Sequence, residues 1–75
     1  MKTYPLYFRF RSQEIKAHVH DFGDSCTVFF TDDVIINDFT GSLTFENKKY
    51  APGFIRNKEA KDLQELIRLI ENSLQ

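Results

Sequence analysis

The chain has 75 residues, with 41% apolar and 28% charged types. This composition belongs to one small globular domain and excludes a disordered or fibrous chain. Ten basic against eleven acidic residues leave a formal charge of −1, which lacks the basic excess that marks most nucleic-acid binders. Cys26 is the single cysteine, so no internal disulfide supports the fold, and a reducing cytoplasm is the expected compartment.

No apolar run approaches the ~20 residues needed to cross a bilayer, and no membrane association is expected. Met1-Lys2-Thr3-Tyr4-Pro5 leads into alternating apolar and charged residues rather than the apolar stretch of a signal peptide.

The alternation predicts a sheet over about residues 4–50. Leu6, Phe8 and Phe10 alternate with Tyr7, Arg9 and Arg11, the period of a half-buried strand. Pro5 suits a strand start. In the next run Ile15, Ala17 and Val19 form the apolar side, and Glu14, Lys16, His18 and His20 the polar side. A third run places Cys26, Val28 and Phe30 together, with Thr27, Phe29 and Thr31 opposite. Asp21-Phe22-Gly23-Asp24 reads as a hairpin turn. Matching the apolar faces sets Val19 opposite Cys26, Ala17 opposite Val28 and Ile15 opposite Phe30. The same rule sets Phe10 opposite Ile15 and Phe8 opposite Ala17.

Val34-Ile35-Ile36 is β-branched and reads as a short strand. With Ser42–Glu46, where Leu43 and Phe45 face inward, it would make a second hairpin. Asn47-Lys48-Lys49 and Ala51-Pro52-Gly53 then lead out of the sheet. Over about residues 58–74, Ala60, Leu63, Leu66, Ile67, Ile70 and Leu74 fall on one helical stripe. Asn57 is the expected N-cap, with Glu59 and Asp62 in the early turns where the dipole favours negative charge. The expected fold is therefore a single α+β domain over residues 1–75. It has two layers: an antiparallel sheet of about four (three to five) strands in hairpins, and one C-terminal amphipathic helix packed on one face.

One helix roofs only one face of such a sheet. Tyr7, Phe29, Ile35, Phe39, Phe54 and Leu69 lack an assured place. With eight Phe and three Tyr in the chain, this apolar surplus points to burial in a homodimer, the commonest way a small chain gains core. The interface candidates are Tyr7, Phe29, Ile35 and Leu69. The alternative is that the loops Val34–Gly41 and Tyr50–Ile55 fold back and absorb these side chains.

Several chemistries are testable on these residues. His18 and His20, two apart on a strand, point the same way and form the one candidate metal pair. Their expected cross-strand neighbours, Thr27 and Ser25, are poor zinc ligands, and a closed site wants four donors. Two solvated imidazoles are the plainer reading. Cys26 faces inward and His20 outward, so they do not make a nucleophile and base. The Asp32-Asp33…Asp38 stretch lacks calcium-loop spacing, and no phosphate-cradling glycine motif occurs. Tyr7, Arg9, Lys16 and Phe29 on one sheet face resemble the cation-and-ring mixture of single-strand nucleic-acid binders. Glu14 interrupts that patch. The expectation is a small non-enzymatic interaction or accessory domain with no cofactor. It would act as a homodimer, with an unidentified protein partner as a further option and single-stranded nucleic acid as the alternative ligand.

Overall fold

The computed structural model describes residues 1–74. Five strands form one antiparallel sheet in sequence order: β1 (Lys2–Phe10), β2 (Gln13–Asp21), β3 (Ser25–Phe30), β4 (Ser42–Glu46) and β5 (Lys49–Ala51). Helix α1 (Asp33–Asp38) joins β3 to β4, and helix α2 (Leu63–Leu74) packs on the sheet after it. The architecture is the expected α+β arrangement. Helix α2 approaches both outer strands, β1 and β5.

The alternation of the strands decides the faces. Leu6, Phe8, Phe10, Ile15, Ala17, Val19, Val28, Phe30, Leu43 and Phe45 are all buried under the helix side. Leu66 and Ile70 of α2 are fully enclosed against them. The exposed side of α2 carries Gln64, Glu65, Arg68 and Asn72.

Both expected strand registers are displaced by two residues, which keeps every side chain on its expected face. Phe8 lies opposite Ile15, and Leu6 opposite Ala17. Arg11 and Ser12 form a two-residue turn with φ of 52° and 62°, the left-handed pair of a type I′ hairpin. Arg-Ser carries no recognisable signal for that turn, and matching the apolar faces alone gives a four-residue loop, Arg11–Glu14, in its place. Ala17 lies opposite Phe30, and Val19 opposite Val28. Here Phe22 N–H donates to the Ser25 carbonyl at 2.8 Å, leaving Gly23 and Asp24 at the tip. Gly23 takes φ +98°, and its N–H donates to the Asp21 carboxylate at 2.8 Å.

Val34–Ile36 is not a strand. Asp32 caps α1: its Oδ1 accepts from Val34 N–H at 3.0 Å and Ile35 N–H at 3.1 Å. A cap at this position outweighs the strand preference of three β-branched residues. The proposed second hairpin therefore does not form. β4 instead pairs with β3 across α1, and with β5 through Asn47 and Lys48, at φ 53° and 67°.

The last helix begins later than residue 58. Asn57 and its neighbours form turns, with Ala60 N–H donating to the Asn57 carbonyl at 3.2 Å. The Asp62 carbonyl accepts from Leu66 N–H at 3.0 Å, so Asp62 stands at the N-cap position. Leu63 is its first buried residue.

Candidate functional site

The outer face of the sheet is built by alternation alone. Residues directly opposite one another share a face, so Pro5, His18, Phe29 and Ser42 make one row across four strands. Thr3, His20, Thr27, Thr44 and Ala51 make the next. Tyr7 pairs with Lys16, and Arg9 with Glu14. Among the described residues no helix covers these rows, and Tyr7 stays 56% exposed and Phe29 41%.

These groups touch one another in pairs. The His20 and Phe29 rings meet edge to face with centroids 4.8 Å apart. The Lys16 ammonium lies 5.8 Å from the Tyr7 ring centroid, within cation–π range. Arg9 and Glu14 approach to 3.9 Å, both well exposed, which neutralises one of the few cations on this face.

Of the four interface candidates, Tyr7 and Phe29 belong to this open surface. Ile35 does not: it is 1% exposed, turned into the core by α1. Leu69 is half-buried and packs against the core from α2. Phe39 is fully buried and Ile55 nearly so, so the connecting segments absorb part of the surplus. Arg56 N–H donates to the Phe39 carbonyl at 2.7 Å and ties these two segments together. Phe54 remains outside, 74% exposed.

His18 and His20 do share the outer face, but their neighbours differ from those expected. His18 faces Pro5 and Phe29, and His20 faces Thr3 and Thr27, because the strand register is displaced. Among the described residues no three His, Cys, Asp or Glu side chains converge as metal ligands do. Cys26 faces the core opposite Asp21. Burial, and secondarily the Asp21 charge, pushes its thiol pKa up and disfavours the nucleophilic thiolate. Tyr4, Asp21, Cys26, Phe45 and Leu74 contribute to an open cleft of about 310 Å³ where α2 ends. Burial, then the Asp21 and Cys26 charges, raises the Tyr4 phenol as well.

One polar centre was not foreseen from the sequence. Arg11 Nε donates to Asp62 at 2.6 Å, and its Nη1 to Asp38 at 2.7 Å. Its guanidinium lies 5.3 Å from the Phe10 ring centroid and 5.1 Å from that of Phe39. The three charged residues are far apart in the chain and meet through the β1–β2 turn, so no local pattern reveals them. The centre joins α1, α2 and the sheet and has the character of a structural clasp.

No helix among the described residues is long and apolar enough to cross a membrane. No protein-family model matches the chain, and neither the curated proteins nor the solved structures yield a match.

Proposed function

We propose that this protein is a non-enzymatic interaction module that works as a homodimer. The observation that supports this is the outer face itself. Tyr7 and Phe29 stand exposed there on a sheet whose other side carries the core, under α2, α1 and the segment around Ile55. A contiguous exposed apolar patch marks a contact surface, and Tyr7 adjoins Pro5 on β1, which stands in one row with His18 and Phe29. The face is also nearly charge-balanced, with Arg9 held beside Glu14, which suits protein contact better than a phosphate track. The outward side of α2 is polar and offers no comparable surface.

A second reading rests on one contact, Lys16 over the Tyr7 ring, which resembles the stacking platforms that hold single-stranded nucleic acid. Sedimentation equilibrium over micromolar to millimolar protein separates the two. A concentration-dependent dimer supports the module. A monomer throughout, together with salt-dependent binding of mixed oligonucleotides, replaces it with the second reading. The compartment proposed for this accessory module is the cytoplasm, on the lone unpaired Cys26.

A further inference from the structure

The two edges of the sheet are not equivalent. β5 is three residues long. In its hairpin with β4, Lys49 and Ala51 bond inward, leaving Tyr50 to direct its N–H out of the sheet. That N–H donates to the Glu71 carboxylate of α2 at 2.8 Å. The β5 edge is closed by the protein's own helix.

β1 is nine residues long, and among the described residues no hydrogen bond closes its outer edge as Glu71 closes that of β5. Its turn sets which backbone groups are free. In a two-residue hairpin the flanking residues, here Phe10 and Gln13, exchange both hydrogen bonds, and bonded pairs alternate from there. Lys2, Tyr4, Leu6, Phe8 and Phe10 therefore bond to β2. Thr3, Pro5, Tyr7 and Arg9 direct their backbone groups outward. Pro5 falls in the outward set, where its missing N–H takes nothing from the ladder. The N–H groups of Thr3, Tyr7 and Arg9 and the carbonyls of all four residues face away from the fold. A long edge of this kind is a template for another strand.

We infer that β1 pairs antiparallel with β1 of a second copy, about a two-fold axis at Leu6, joining the two sheets into one. This rests on the homodimer proposed above and seats it on the β1 edge, with Tyr7 at the contact and Phe29 left on the joined outer face. The axis at Leu6 overlaps the whole strand. It sets Thr3 opposite Arg9 of the partner subunit, where both bonds form. It sets Tyr7 opposite Pro5 of the partner subunit, where the Tyr7 N–H meets the proline carbonyl and the ring lies beside the pyrrolidine. On the helix side, Tyr4, 38% exposed, gains Phe8 of the partner subunit as a neighbour. No like charges are opposed. An axis at Arg9 would set two guanidinium groups against each other and lose two thirds of the overlap. A two-fold contact is self-complementary by construction, and an antiparallel edge meets that condition with backbone groups alone. The outer faces then run on into each other, and the exposed Tyr7 and Phe29 rings of both copies form a single surface.

The test compares three variants by sedimentation equilibrium, with far-UV circular dichroism as the control for folding. Tyr7→Pro removes one outward N–H and leaves the β1–β2 bonds intact, since residue 7 does not bond to β2. Tyr7→Val keeps that N–H and removes the ring. Phe29→Ser alters the middle of the outer face. The expected result is loss of the dimer in Tyr7→Pro and its retention in Tyr7→Val and Phe29→Ser. A dimer that survives Tyr7→Pro overturns the edge assignment, and its loss in Phe29→Ser then moves the contact to the outer face. A monomeric parent protein at every concentration removes the homodimer reading itself. Should Tyr7→Pro unfold, amide exchange on the parent protein decides. The Tyr7 and Arg9 amides become protected as concentration rises if the edges pair, and concentration-independent exchange at both overturns the inference.

Discussion

Tyr50 and Glu71 lie 21 positions apart in the chain, and the backbone N–H of the first donates to the carboxylate of the second at 2.8 Å. One side chain thus does two things: it fastens α2 to the last strand, and it occupies the donor that would otherwise mark a free edge. The bond is partly buried and charge-assisted, a class that contributes about 1.5–3 kcal/mol. Solvent access at the sheet margin places Glu71→Ala near the lower figure. Urea denaturation should show a loss of about 1–2 kcal/mol, with Glu71→Gln retaining part of it. An unchanged midpoint in Glu71→Ala would mean that water replaces the carboxylate without cost.

The Asn47-Lys48 turn offers a gain rather than a loss. Both residues are left-handed, Lys48 at φ 67°, and a residue with a Cβ gives up roughly 1–2 kcal/mol there. Glycine does not. Asn-Gly is the preferred pair for a type I′ turn. Lys48→Gly should therefore raise stability by about 1 kcal/mol, after the entropy that glycine adds to the unfolded chain. A lower thermal midpoint than the parent protein's would refute this account of the turn.

How much of this was legible in the chain depends on the range of each interaction. Strand faces follow from alternation within a few residues, so Leu6 to Phe45 could be assigned inward or outward from sequence alone. Register is set at the turns, and Arg11-Ser12 adopts a tight left-handed pair that neither residue advertises. Its side chain is held by Asp62 and Asp38, contacts that help to offset the backbone strain. Those contacts are non-local and had no sequence signature. Val34–Ile36 misled for the opposite reason: strand preference was visible, but the Asp32 cap in front of it decided the local structure. Exposure of Tyr7 and Phe29 was readable because it depends only on parity and on a single helix being available. The burial of Ile35 depended on α1 and was not.

The Arg11–Asp62 contact makes stability depend on acidity. Hydrogen bonding from Arg11 is the main reason that the Asp62 carboxyl has a lowered pKa. A carboxyl with a folded-state pKa below its unfolded value of about 4 stabilises the fold above that value. The contribution disappears as pH falls through the folded-state pKa and Asp62 takes up a proton. Both partners are about one-third exposed, so solvent screening keeps the effect small. Asp62→Asn should narrow the gap in thermal midpoint between neutral and acidic solution, and added salt should reduce the difference between variant and parent at neutral pH. Parallel pH profiles for the two proteins would show that the clasp carries no net stabilisation.

Truncations on the two sides of the sheet should separate core from contact surface. Leu66 and Phe39 are fully buried. Leu66→Ala should cost about 2–5 kcal/mol and Phe39→Ala about 3–5 kcal/mol, a large share of the stability of a domain this small. Phe39→Ala also takes away the ring beneath the Arg11 guanidinium, so it should weaken the clasp as well as open a cavity. His18 lies exposed on the outer face, and His18→Ala should shift the urea midpoint by no more than about 0.5 kcal/mol. These values are to be read on protein that sediments as a monomer, where only the chain's own contacts count. A His18→Ala variant destabilised as strongly as Leu66→Ala would mean that the outer face carries part of the core, and the assignment of the two faces would be inverted.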